Sequence, residues 1–200
     1  MSLVTVEVQG NFEQLKRAAA QIAAAKARMV KVGILAGATY PSGMTVSQVA
    51  QILELGWTQS VTPRQSGWFT AQGFGSIRPG VALHLPPRPT FHFVFRSKSA
   101  RWQKLGENIL KRVLTSPNPA AVIRRALEMM GLAAQQDLMQ EIANHGAGYG
   151  AAPRSPLTLA LYLTQAMAGN HRVAGTNNTT ATEPLIRSGL LMRSIAYEIT

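Results

Sequence analysis

The chain has no cysteine, which excludes a disulfide framework, a thiolate nucleophile and any cysteine-ligated metal. That absence suits a reducing compartment. Carboxylates are also scarce, with nine Asp and Glu in 200 residues and Asp137 the sole aspartate. The glutamates form no close pair except on the solvated sides of expected helices, so a carboxylate dyad for general acid–base work is not expected. His84, His92, His145 and His171 lie far apart, and none has a partner at the i, i+4 spacing that places two imidazoles on one helix face. The Gly146 to Gly150 stretch lacks the Lys-Ser/Thr of a phosphate loop, and Ser188-Gly189 lacks the Gly-x-Ser-x-Gly frame of a nucleophile elbow. No catalytic residue, metal or cofactor is therefore expected. No apolar run approaches the ~20 residues of a membrane span, and the first residues lack the charged and apolar regions of a signal peptide. Synthesis in the cytoplasm and no membrane partner are the corresponding expectations.

Apolar residues are plentiful, at 46% against 14% charged, enough for a core but with less charged surface than a free monomer usually shows. Some of the surface is expected to be covered by partners. Twenty Lys and Arg give a net charge of +11, which must meet nucleic acid or acidic protein or be diluted in an assembly. These residues are scattered from Lys16 to Arg193 in pairs no denser than Lys111-Arg112 or Arg124-Arg125, unlike a dedicated nucleic-acid arm. The length fits one main domain over residues 1–200, with an inserted arm over 57–85.

Along the chain, Val4, Val6 and Val8 alternate as a strand, and Asn11 caps a helix expected over Phe12 to Arg28. Val30, Val32 and Ile34 mark a second strand. Thr45 and Gln48 form a capping box for a short helix that Gly56 stops. From Trp57 to Pro89 the composition turns to Gly, Pro and aromatics, with weak alternation at Trp68-Phe69-Thr70 and Val81 to Leu85; a long hairpin is expected there. Pro86-Pro87-Arg88-Pro89 is rigid and extended. Phe91, Phe93 and Phe95 alternate as a strand, after which Ser97 or Ser99 would cap a helix carrying Trp102, Leu105, Ile109 and Val113. The clearest element is a helix from the Asn118 cap and Pro119 to about Ala143, with Ile123, Leu127, Met130, Ala134, Leu138 and Ile142 in one stripe. Ser155-Pro156 opens a short helix, Gly169 to Thr182 is a polar loop, and Ser188 caps a last helix before a closing strand at 196–199. The fold class is α+β: a small antiparallel sheet packed against long amphipathic helices, with an extended hairpin arm.

The candidate interface lies on that arm. Trp68, Phe69 and Phe74 among Arg64 and Arg78 suit either stacked bases or a neighbouring subunit that buries the aromatics, and Pro86, Pro87, Arg88 and Pro89 anchor the segment. A segment so rich in Gly and Pro is not expected to form a core of its own.

Four pieces, in order, carry a family resemblance: Lys31-Val-Gly-Ile-Leu-Ala-Gly-Ala-Thr-Tyr-Pro-Ser-Gly, Val46-Ser-Gln-Val-Ala-Gln-Ile-Leu-Glu-Leu-Gly, Leu85-Pro-Pro-Arg-Pro-Thr-Phe and Pro184-Leu-Ile-Arg-Ser-Gly-Leu-Leu-Met-Arg-Ser-Ile. Together they resemble the neck and tail-completion proteins of tailed bacteriophages, including virion morphogenesis proteins. In that family a Glu-x-Gly and a Pro-Pro-Arg-Pro-Phe-type segment frame a variable hairpin, matched here by Glu54-Leu-Gly56 and Pro86 to Phe91. The chain departs by carrying Thr90 before the aromatic and by its long Trp57 to Leu85 insertion. The resemblance implies a non-enzymatic virion subunit in a homo-oligomeric ring of six or twelve copies at the head–tail joint. Its neighbours would be head-connector and tail proteins, with non-specific contact to packaged DNA open to its basic residues. A tail-terminator or tail-tube-associated subunit, or a basic nucleic-acid-binding module, are the alternatives.

Overall fold

The computed structural model describes residues 12–25, 28–35, 37–40, 42–113, 115–153, 155, 157–160 and 189–200. The expected strand at Val4 to Val8, the Asn11 and Ser188 caps and the loop at 169–182 lie outside the described residues. The architecture is α+β. In chain order it runs α1 (Phe12–Ala25), β1 (Val30–Ile34), α2 (Val46–Leu55), β2 (Trp57–Ser60), α3 (Pro63–Ala71), β3 (Ala82–Leu85), α4 (Thr90–Leu110), α5 (Pro119–Ala143), a 3₁₀ turn (Ala147–Tyr149), α6 (Leu190–Arg193) and β4 (Ile195–Ile199).

Local signals explain most of these boundaries. At α2, the Gln48 N–H donates to Thr45 Oγ1 (3.2 Å) while Gln48 Oε1 accepts from the Thr45 N–H (3.0 Å), a reciprocal cap that satisfies two otherwise orphaned donors. At α5, Asn118 Oδ1 accepts from the Ala121 N–H at 3.1 Å and Pro119 fills the first turn, where no N–H is needed. The strands pair as two separate two-stranded ribbons, β1 with β4 and β2 with β3. Reciprocal bonds between Met29 and Thr200 (2.9 and 3.0 Å) make the first ribbon antiparallel, and Lys31 meets Glu198 across it at 3.5 Å. Both of those side chains are half exposed, so the ion pair adds little.

Two expectations are corrected. Phe91, Phe93 and Phe95 are not a strand: Thr90 opens the 21-residue α4, and Ser97 and Ser99 lie inside it instead of capping it. The helical spacing that carries Trp102, Leu105 and Ile109 extends back through Val94, which is 1% exposed, and Phe91. Trp68-Phe69-Thr70 is not an alternating strand either, but part of α3, set between the two strands of the hairpin.

Of the described residues, those within Met1–Lys31, Ala100–Ala133 and Tyr197–Thr200 form one compact unit, and those within Val32–Ser99 and Ala134–Ala196 form another. In the first, Trp102, Val113, Ile123 and Ala126 are buried. Val113 and Ile123 pack together with Val122 and Leu127, and Gly106 of α4 sits against the Met130 side chain of α5, which an added β-carbon would have to push aside. The second buries Val46, Val61, Phe69, Val94, Leu138, Ile142, Leu191 and Ile195. The Gln135 amide donates to the Ile195 carbonyl at 2.8 Å and so ties α5 to β4 within it.

Candidate functional site

Helix α2 ends at Gly56, whose φ of 73° and ψ of 174° lie in a region essentially reserved for glycine. A β-carbon there would stand 2.8 Å from both the Leu85 carbonyl oxygen and the Pro87 nitrogen. The chain leaving α2 therefore runs against the chain returning from β3. Three further bonds close the same place. The Arg88 N–H donates to the Leu53 carbonyl at 2.6 Å. The Glu54 carboxylate accepts from the N–H groups of His92 (2.8 Å, Oε1) and Phe91 (3.0 Å, Oε2). These are first-turn donors of α4, without partners inside the helix and at its positive dipole end, so the carboxylate serves as a cap supplied from 37 residues away.

Arg88 is only 5% exposed. Its guanidinium donates to the Ala152 carbonyl through Nε (3.3 Å) and Nη2 (3.1 Å), and to the Pro153 carbonyl at 3.4 Å. Buried Thr90 shares a 2.7 Å hydrogen bond with the Tyr149 hydroxyl, and the Tyr149 ring lies 5.5 Å from that of Phe93. Desolvation lifts the Tyr149 phenol above its ordinary 10.0, the Thr90 bond pulls partly the other way, and the negative charges of Glu141 and Glu54 add to the rise. Glu141 in turn accepts from the Gly148 N–H at 2.9 Å, which fixes the turn carrying Tyr149.

From this foot the hairpin extends in register Trp57↔Leu85, Thr58↔His84, Gln59↔Leu83 and Ser60↔Ala82. Thr58 Oγ1 and His84 Nδ1 meet across it at 2.9 Å. Val61 closes the ladder: its N–H donates to Val81 and its carbonyl accepts from Gly80, both at 2.8 Å, and its side chain is buried. Beyond it a second capping box, Thr62 with Gln65, and Pro63 in the first turn start α3. The aromatics form a cluster, with ring centroids 5.3 Å apart for Trp68 and Phe69, 6.3 Å for Trp68 and Phe74, and 6.4 Å for Phe69 and Phe74. The expectation that this segment has no core of its own is thus corrected. α3 supplies a small one with Phe69 at its centre, which the capping-box and proline signals at Thr62 to Gln65 could have revealed.

The interface residues singled out from sequence separate into two groups. Arg64, Trp68 and Arg78 are exposed, and Phe74 is partly so, at the tip. Pro86, Pro87, Arg88 and Pro89 lie at the foot, where Arg88 faces the protein's own carbonyls and is not available to a partner. Phe69 is likewise buried. Leu55, Trp57 and Val81, none of them singled out, join Trp68 as large exposed apolar groups of the hairpin region. Glu54 was legible as part of a motif, but its capping role was not. Among the described residues no group of three His, Asp or Glu could hold a metal, and no helix is long and apolar enough to cross a membrane. Compared with family models, curated proteins and solved structures, the chain matches none.

Proposed function

We propose that the chain is a non-enzymatic structural subunit of a tailed-bacteriophage virion, a neck or tail-completion protein. It would work in a ring of six or twelve copies at the head–tail joint, be made in the host cytoplasm, and have head-connector and tail proteins as neighbours. The observation that carries this reading is the foot of the hairpin. Glu54-Leu-Gly56 and Pro86 to Phe91, the two motifs that frame the hairpin in the family resembled, are about 30 residues apart in sequence, yet they and their immediate neighbours are bonded through Leu53–Arg88, Glu54–Phe91 and Glu54–His92. They hold a hairpin whose tip carries the exposed side chains of Arg64, Trp68 and Arg78. Exposed tryptophan and arginine are residue types enriched at interfaces, and covering each exposed apolar group would stabilise a joint by on the order of 1–3 kcal/mol.

The test replaces Thr62 to Gly80 with a two-residue Asn-Gly turn, leaving Val61 and Val81 paired. The shortened subunit should melt within a few degrees of wild type yet fail to enter particles. Incorporation at wild-type levels, or the same result from Trp68→Asp in the full-length chain, would remove the tip from the interface.

A further inference from the structure

Five of the 20 Lys and Arg residues lie on one helical elbow. Between Glu107 and Glu128 the chain has no carboxylate but carries Lys111, Arg112, Arg124 and Arg125. This stretch is the end of α4, the turn that follows it and the first two turns of α5. Gly106 against Met130 and Val113 against Ile123 bring the two helices together there as a helical hairpin. Lys111 and Arg112 immediately precede Val113, while Arg124 and Arg125 immediately follow Ile123, so the charges flank one small apolar seam. Lys104 lies on the last turns of α4 leading into it. All five side chains are exposed. Arg124 is engaged by Glu128 at 2.8 Å, and Lys111 by the neutral Asn108 amide at 3.0 Å. Lys104, Arg112 and Arg125 have no ion-pair partner among the described residues. α5 also starts at this elbow, with no acidic residue in its first turn to offset the positive end of its dipole.

We infer that this elbow is a docking surface for the phosphate backbone of duplex DNA. This docking surface rests on charge and not on the hairpin, and so stands with or without the ring. The short polar side chains of the elbow serve its own backbone: the Thr115 hydroxyl donates to the Arg112 carbonyl (3.3 Å), the Ser116 hydroxyl accepts from the Asn118 N–H (3.1 Å) and Asn118 caps α5, so what the elbow offers outward is charge. Its apolar residues Val113 and Ile123 are turned into the seam and buried. A protein partner would need a desolvated apolar or aromatic centre, and among the described residues of the elbow only Leu110 is large, apolar and exposed. Single-stranded nucleic acid would need aromatic faces for stacking, and residues 108–127 contain none. Exposed positive charge with no stacking platform is the pattern that positions a duplex through its phosphates without reading its sequence.

The full-length chain should bind a random-sequence 30-base-pair duplex in the micromolar range at low salt, without preference among sequences. The triple variant Lys111→Gln/Arg112→Gln/Arg125→Gln should bind at least about tenfold more weakly, and its slope of log affinity against log salt should fall by about two to three, near 0.9 for each phosphate no longer neutralised. The control Arg17→Gln/Arg28→Gln/Arg96→Gln removes the same charge from exposed positions elsewhere and should change affinity less than about threefold. Duplex should also protect Lys104 and Lys111 of the wild-type chain from acetylation, a readout that does not depend on the variants. Equal weakening by the two triple variants would make the attraction a property of total charge and overturn the proposal. Equally tight, elbow-dependent binding of poly-glutamate would assign the surface to an acidic protein, and tighter binding of single-stranded DNA would refute the duplex.

Discussion

Replacing Gly56 by alanine is the most economical test of how the hairpin is held. Alanine at φ 73°, ψ 174° carries a backbone cost of about 1–3 kcal/mol. Its methyl group would also lie 2.8 Å from the Leu85 oxygen and the Pro87 nitrogen, both backbone atoms that cannot swing aside. Relieving that clash by shifting the foot adds roughly another 1–3 kcal/mol of overpacking. A loss of about 2–6 kcal/mol is a large part of the 5–15 kcal/mol that a domain typically has. Urea denaturation followed by circular dichroism measures it, with Gly37→Ala as the control, because a β-carbon at Gly37 meets nothing within 4 Å. The control should stay within about 0.5 kcal/mol of wild type. If the foot yields before the whole chain does, the Arg88 and His92 amides should exchange hydrogen much faster in the Gly56 variant than in wild type. A Gly56→Ala protein with wild-type stability and unchanged exchange at those amides would show that the two strands are not clamped at this point.

Glu54→Ala removes both acceptors from the start of α4 and should destabilise by about 1.5–3 kcal/mol, whereas Glu54→Gln keeps one oxygen and should lose about half of that. Equal effects of the two substitutions would mean that the carboxylate acts through packing and not as a cap. Tyr149 and Tyr40 should make the protein sensitive to alkali. Both phenols are raised above 10.0 in the folded state, chiefly by burial. The folded form then holds its protons more tightly, so this stabilisation is complete below about pH 10 and is lost as pH rises through the raised values. Urea midpoints at about pH 8 and about pH 10.5 should therefore differ less in Tyr40→Phe/Tyr149→Phe than in wild type. An unchanged difference would place the alkaline sensitivity elsewhere.

What could be read from sequence and what could not divide along the range of the interactions involved. Helix α5, the Thr45–Gln48 cap, β1 and the closing strand β4 each declare themselves within a few residues, through periodicity or a cap. The start of α4 does not. Phe91-His-Phe-Val-Phe alternates as a strand would, and the competing helical evidence includes a carboxylate 37 residues earlier that only the folded chain brings to the Phe91 and His92 amides. Arg88 posed the same difficulty. A proline-flanked arginine looks exposed, but its guanidinium is buried against carbonyls 64 and 65 residues downstream. At α3 the failure was of a different kind. Thr62-Pro-Arg-Gln is a complete local helix signal, set in a segment whose glycines and prolines point away from helix. The elbow charges were visible as pairs, but the Val113–Ile123 packing that gathers them was not.

The closure of the ladder at Val61 and Val81 has a consequence for how such a chain can change over time. The bonds made by Leu53, Glu54 and Arg88 lie on the foot side of that closure, and α3 with its aromatic cluster lies beyond it. Lengthening the stretch past the closure costs only loop entropy, about 0.6 kcal/mol for each doubling. Selection can therefore exchange or extend the tip to follow a changing neighbour while the residues that fold the subunit stay fixed. Partner choice and foldability become separately heritable traits of one polypeptide.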